Sequence, residues 1–537
     1  MLSFLTHPKP EGDPPAGGAA PPPGPRNALL LGTDGNPCKA TITLEGNVLR
    51  CDKPDAGTAA LSLLHPCGDL GEISLRTCLL PERDEPYLLE LELARHRLML
   101  LFTKLEEWAM FELGDKHPVT RRVNTARGRF VEALCVQKEK PAEAAALGQE
   151  ALEAALDGTE ELALAHSELL LNRRRSTGAV PRQPVGVGVS PRTPERLRPG
   201  LRDSFDFLQL PTPWRMLSPE DQSGDAAPGG GVGGGGASGG SGGDAGGGGP
   251  EWAALDGWLA GPRGRDLSIT AGPLLSFDPA NAPDWLTLYE NDFDALRELA
   301  YEHVERVVRR YGGRVKSWNV LAGIHLNDHY AFSFEQLMDL TRMSAMLVRK
   351  HQPQAKLLLE IRQPFGEYYA GNQRSIPPLV YADLVTQSAI PFDAFQLHLP
   401  LGQALPGQYT RDLMQISCLL EDYAVFGKPL RVTVGVPSEP VTEAMIAPPE
   451  DGRPVDARCG HWRRRWSPQV QSHFLEAVFQ IALSKPYVEA VAWLDLIDHA
   501  EMALPMSGLL TEDVQVKDAF RRLAAFRDSV KGRKRPR

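Results

Sequence analysis

The sequence predicts an α/β chain built around a (β/α)8 barrel, preceded by a small β module and a helical hairpin or bundle. Three observations carry this. From about residue 180 onward, short apolar runs alternate with amphipathic helical stretches, and eight such runs fill the length a barrel needs. Before them, residues 86–175 show apolar positions at helical spacing. Before those, residues 28–85 break into short β-rich runs divided by Gly, Asn, Asp and Pro turns.

In chain order, residues 1–27 are rich in Pro, Gly and Ala, with Pro14-Pro15 and Pro21-Pro22-Pro23, and are expected to form a disordered tail. Runs beginning at Ala28, Ala40, Ala59 and Ile73 supply the β module. It lacks a row of exposed aromatics, so packing is its expected role. Helices are expected from Leu88 to Trp108, Asn124 to Lys138 and Ala142 to Arg173. With no chemical motif of its own, this helical region is expected to pack against the next domain or a second copy of the chain. Glu90, Glu92 and His96 lie within it and are read as polar positions on a helix face.

The barrel is expected over residues 180–530, with strands beginning near Val185, Phe205, Leu267, Val315, Lys356, Phe392, Leu430 and Val488. Residues 224–250, almost entirely Gly with Ser, Ala and Asp, interrupt it after the second strand. This insertion predicts a flexible loop and no phosphate cradle, because it lacks the strand-to-helix setting and the Lys-Ser/Thr ending. Residues 531–537 form a basic tail.

Composition narrows the function. The chain has 537 residues, 42% hydrophobic and 23% charged, too many for one ordinary domain. A net charge of −10 argues against general nucleic-acid affinity. No apolar run is long enough to cross a bilayer, and the start lacks a secretory pattern, so a cytoplasmic, membrane-free protein is expected. Seven cysteines, with Cys38, Cys51, Cys67 and Cys78 widely spaced, predict reduced thiols and no zinc site. No cofactor motif is present. His325, Asp328 and His329 sit close in sequence, but further ligands that would complete a metal site are not evident.

The stretch Arg310-Tyr311-Gly312-Gly313-Arg314-Val315 leading into Ser317-Trp318-Asn319-Val320 resembles the fourth-strand motif of glycoside hydrolase family 10, the xylanase family. Further segments keep the order of that family's motifs: Phe205-Asp206-Phe207 with Trp214, Gly272 to Phe277 with Pro283-Asp284-Trp285, Phe392 to His398, Lys428-Pro429 to Val434, Trp493 to Asp498, and Ser507-Gly508-Leu509. The resemblance implies a barrel with two catalytic glutamates, an acid/base and a nucleophile. Those positions carry Gly323 and Val434. A retaining glycosidase needs two carboxyl groups about 5 to 5.5 Å apart, and neither residue supplies one.

The leading expectation is therefore a xylanase-like, carbohydrate-binding or sensing pseudoenzyme. A second is an active glycoside hydrolase that cleaves O-glycosyl bonds in a xylan-type polysaccharide with relocated carboxylates. Asp495, Asp498, Glu360 and Glu439 are the candidates, with Asp206 and Glu367 also near strand ends. A third is a non-catalytic assembly protein that forms a homo-oligomer through its helical region. Sugar contact is expected from Trp214, Trp285, Trp318, Tyr368, Tyr369, Trp493 and His398, because sugar rings pack their C–H faces on aromatic planes.

Overall fold

A computed structural model describes residues 1–7, 25–218, 250–259, 267–445, 459–500 and 502–532. The glycine-rich insertion, apart from its last residue, and most of the basic tail lie outside the described residues. Eight parallel strands close into a barrel: Val185–Gly188, Phe207–Leu210, Ser268–Ala271, Ser317–Ala322, Lys356–Arg362, Ala394–Pro400, Leu430–Gly435 and Val488–Trp493, with the last pairing back to the first. Each begins within two residues of its predicted start.

The helices between strands follow from their apolar stripes. Phe293–Tyr311 is capped by Asp292, whose side chain accepts from the Ala295 N–H at 3.0 Å. It buries Leu296, Ala300, Val304, Val307 and Val308 against the strands. Phe334–His351 starts with a capping box between Ser333 and Gln336.

Inside the barrel, side chains alternate with those that point outward to the helices. Low in the barrel, Phe207 packs on Ala490 and Ala492. A Cβ on Gly186 would meet the Phe207 ring at 2.4 Å, so glycine is required there. The Arg431 guanidinium lies 4.7 Å over the same ring and donates to the Thr270 hydroxyl at 2.9 Å. Above this layer the lining turns polar.

The N-terminal region differs from expectation in one place. Leu2–Leu5 is a strand, pairing antiparallel with Val48–Asp52 and parallel with Tyr87–Leu88. Leu2 and Phe4 are fully buried, which repays the ordering of this strand; the Pro-rich residues 8–24 of the expected tail lie outside the described residues. A second sheet has the order His461–Trp462, Gly71–Arg76, Ala60–Pro66, Arg26–Leu31, Pro37–Cys38. Its first member comes from the connection after the seventh barrel strand, so barrel and β module share a sheet. Helices Leu89–Glu107, Pro118–Val136 and Pro141–Ser176 complete the region, and the third packs on barrel helices Leu413–Ala424 and Pro468–Ser484. Buried polar groups fasten this seam. Arg97 pairs with Asp412, and Glu160 accepts from the Trp462 indole at 2.7 Å and from Arg463. Arg174 donates to the carbonyls of Leu483 and Lys485, both at 2.7 Å.

Candidate functional site in the barrel mouth

A cavity of about 300 Å³ opens at the C-terminal end of the strands, where ligands bind in barrels of this kind. Period-two alternation places its residues. Gln209, Asn319, Glu360, Gln396 and Thr433 each stand inward from a different strand, and Arg362 and His398 stand one step higher on two of them.

Glu360 is the hub. Its Oε2 accepts from Asn319 Nδ2 and Gln396 Nε2, both at 2.7 Å, and its Oε1 accepts from Arg362 Nε at 3.0 Å. Burial alone would raise the Glu360 pKa, but the Arg362 charge and these hydrogen bonds together hold it below the usual carboxylate range. Arg362 Nη1 reaches Asp278 Oδ2 at 2.8 Å. Gln209 donates to Thr433 Oγ1 at 2.9 Å and to Gln396 Oε1 at 3.3 Å, closing an amide belt across the barrel. One acceptor stays spare: the buried Asn319 Oδ1 has no hydrogen-bond partner.

Asp495 enters from the end of the eighth strand and accepts from the Ser507 hydroxyl at 2.9 Å. Burial, reinforced by Asp498 and opposed by that hydrogen bond and His499, pushes its carboxyl up to about 6. The imidazole of His398 is pushed down by burial and by Arg362, although Glu360 pulls it upward. The cavity therefore holds one carboxylate kept ionised and one carboxyl poised near neutrality.

The two positions implied by family resemblance carry Gly323 and Val434. Gly323 sits in the left-handed region at φ +65°, and a Cβ there would come within 2.9 Å of Arg362 Cδ. The arginine side chain occupies the space a side chain at 323 would enter. On the seventh strand Thr433 faces the cavity, and the fully buried Val434 alternates to the outer face.

The other predicted residues separate. Asp498 lies beside the site but is spent on Lys517 and on the Gly508 N–H at 2.8 Å. Asp206 is at the opposite end of the barrel, paired with Arg527 at 2.8 Å and Lys531 at 2.7 Å. Glu439 is exposed and does not line the cavity. Glu367 is buried against Arg411 and accepts from the Gly407 N–H at 2.7 Å.

Of the seven expected sugar-contacting residues, only His398 lines the mouth. Trp318 and Trp493 are fully buried behind their strands, donating to Gln352 Oε1 at 2.9 Å and to the Ser507 carbonyl at 2.7 Å. Both neighbour inward-facing residues, so alternation turns them outward. Trp214 stacks on His303 and meets Trp285 edge-on. The Tyr368 hydroxyl donates to the Ile376 carbonyl, and Tyr369 is half-buried in the same turn.

His325 is buried with Nε2 at 3.0 Å from the Arg362 carbonyl and its ring stacked on Tyr381, while Asp328 and His329 are exposed. Glu90 accepts from the His7 N–H at 2.8 Å, Glu92 pairs with Arg95, and His96 accepts from Arg76 at 3.1 Å. Among the described residues, no three His, Cys, Asp or Glu side chains form a group that would hold a metal, and no helix is long and apolar enough to cross a membrane.

The residues that sequence reading missed are Gln209, Asn319, Arg362, Gln396 and Thr433. Their signal was available: a polar residue at every second position inside otherwise apolar strands, as in Glu360-Ile361-Arg362 and Gln396-Leu397-His398.

In sequence, the chain matches no family model and no curated protein. Among solved structures, xylanase 10B from Thermotoga maritima is similar at 13% identity, covering 68% of this chain and 99% of that one with a TM-score of 0.44. Xylanase 10B from Thermotoga petrophila, solved in complex with xylobiose, is similar at 14% identity over 67% of this chain and 97% of that one, TM-score 0.43. A glycoside hydrolase family 10 xylanase from Thermobacillus composti is similar at 12% identity over 64% and 96%, TM-score 0.42. The barrel assignment rests on the strand pairing of this chain itself.

Proposed function

We propose that the barrel mouth binds a carbohydrate without cleaving it, as a pseudoenzyme built on a xylanase-like frame. The observation that carries this is the state of Glu360. Three donors engage both oxygens of its carboxylate, and Arg362, its ion-pair partner, fills the space beside Gly323. A carboxylate so engaged is a poor nucleophile and a good anchor, because it fixes Asn319 and Gln396 in one orientation. The amide belt and the spare Asn319 Oδ1 suit hydroxyl groups, which donate and accept at once. Among the described residues lining the cavity the only rings are imidazoles and prolines, so recognition would rest on hydrogen bonds more than on stacking. The ordered motifs that resemble glycoside hydrolase family 10 support a sugar as the ligand class.

One observation favours a second reading, hydrolysis by relocated acids. Asp495, held near 6, and the ionised Glu360 line the same cavity, and carboxyl groups with separated pKa values are what acid/base chemistry requires.

The test is calorimetric titration of the full chain with xylo-, gluco- and manno-oligosaccharides, with released reducing ends assayed in the same samples. The full chain is needed because His461–Trp462 pairs into the N-terminal sheet. Binding without turnover, weakened about tenfold or more by Asn319→Ala, supports the pseudoenzyme. Turnover abolished by Asp495→Asn would replace it with the hydrolase. Silence in both assays would leave the assembly role.

A further inference from the structure

A second cavity, of about 180 Å³, lies in the seam between the N-terminal region and the barrel, away from the barrel mouth. Its walls come from three sources: Leu29, Leu31 and Ser74 of the five-stranded sheet, Leu93 of the first helix, and Phe365, Arg411 and Gln415 of the barrel. The seam holds many buried polar groups, and nearly all are paired. Three exceptions gather at this cavity. Ser74 Oγ, Arg411 Nε and Gln415 Oε1 are buried atoms without a hydrogen-bond partner, and all three residues line this cavity. Ser74 is 0% exposed and Arg411 5%.

Their own anchoring makes these orphans persistent. Gln415 Nε2 donates to the Ser74 carbonyl at 2.6 Å, and the Ser74 N–H donates to the Thr410 carbonyl at 3.1 Å. Arg411 is held by its pair with Glu367 and stacks over Phe365 at 4.3 Å. The side chains cannot swing away to find other partners without breaking these contacts. Buried polar atoms left unpaired are costly, so a group of three around one cavity marks a place where a ligand completes the set.

The donor and acceptor types define that ligand. Arg411 Nε offers a proton, Gln415 Oε1 accepts one, and the Ser74 hydroxyl does either. Both signs of charge line the same space, Arg76, Arg97 and Arg411 against Glu367 and Asp422, and Arg411 is already paired with Glu367 and Arg97 with Asp412, so a neutral guest fits without an unmatched charge. Leucines and Phe365 supply an apolar wall. A neutral, polyhydroxylated molecule with C–H faces satisfies all of these, and the volume suits a single sugar ring.

We propose that this seam cavity binds a neutral monosaccharide-sized polyol, through Ser74, Arg411 and Gln415, and so ties ligand binding to the docking of the N-terminal region on the barrel. The proposal does not rest on the barrel-mouth reading.

The experiment titrates the full chain with D-xylose, D-glucose and myo-inositol, reading calorimetric stoichiometry and the thermal midpoint. Three variants accompany the wild type. Ser74→Ala removes a hydroxyl that makes no hydrogen bond of its own, so folding is spared. Leu100→Trp, from a half-buried lining residue, plugs the cavity from its rim. His398→Ala alters only the barrel mouth. The expected result is a polyol site weakened about tenfold by Ser74→Ala, abolished by Leu100→Trp and retained in His398→Ala. Absence of binding by all three probes, or a stoichiometry and affinity unchanged in both seam variants, overturns the proposal. Binding lost only in His398→Ala assigns it to the mouth and likewise overturns the seam site.

Discussion

The two halves of the barrel are built differently. The first three strands are four residues each, whereas the last five run six or seven. The ionisable groups of the mouth, Glu360, Arg362, His398, Asp495 and His499, all belong to the second half, and the first contributes polar groups such as Ser190, Gln209 and Thr270 to the lining. The N-terminal helices pack on that second half, through Leu413–Ala424 and Pro468–Ser484. The chemistry therefore sits where the scaffold is braced from outside. A buried carboxylate held by three donors demands fixed neighbours, and longer strands backed by two layers of helix supply them.

The sharpest way to break this comparison is to remove the brace. Arg97 and Asp412 form an ion pair with both side chains nearly fully buried, joining the first helix to the cap of Leu413–Ala424. Arg97→Ala leaves the Asp412 charge buried without its partner and is expected to cost about 3–5 kcal/mol. Guanidinium unfolding measures it. A loss below about 1 kcal/mol would mean that the seam does not support the second half.

Next in size is the titration of Asp495. Its folded-state pKa of about 6 lies above the ordinary value of 3.8, so its contribution to stability is complete below about 4 and is lost as pH rises through 6. Asp495→Asn has no such loss. The stability of the variant relative to wild type is expected to rise by about 2–3 kcal/mol between pH 4 and pH 8. Asp422, also pushed up to about 6 by burial, is common to both proteins and cancels in the difference. A flat difference would show that Asp495 titrates normally, and with it would go the case for a relocated acid.

The fold was far more legible in the sequence than the site, for a physical reason. Strand and helix periodicity is local, so all eight strands and the three N-terminal helices could be read from their own residues. A cavity is assembled from strands far apart in sequence. Gln209 meets Thr433 across 224 residues, and Gln415 meets Ser74 across 341. Aromatic residues were expected to mark the mouth, yet Trp318 and Trp493 sit one residue out of phase with the inward face and are buried behind the strands. Leu2–Leu5 escaped because its pairing partners begin some forty residues later, at Val48.

A smaller effect is expected from placing an acid just after the fourth strand, at Gly323. Gly323→Glu places a side chain at φ +65°, against Arg362, for a cost of about 1–2 kcal/mol. No glycosidase activity is expected, because Val434 turns away from the cavity and no partner carboxylate stands at that position. Reducing-end assays on the variant provide the check. Measurable turnover would mean that the mouth aligns a sugar for attack, and Glu360 would become the nucleophile to examine.

The smallest effect tests the unbraced half. Leu288, in the turn after the third strand, is 81% exposed and packs on nothing that the fold requires. Leu288→Ser is expected to change stability by no more than about 0.5 kcal/mol and to leave the sedimentation behaviour of the chain unchanged. A large apolar side chain this exposed would also serve as an anchor between copies, and the same variant discriminates the two. If Leu288→Ser lowers the thermal midpoint in a concentration-dependent way, a second chain covers this face. The asymmetry would then be a property of the isolated chain, with the first half braced by assembly as the second is by the N-terminal helices.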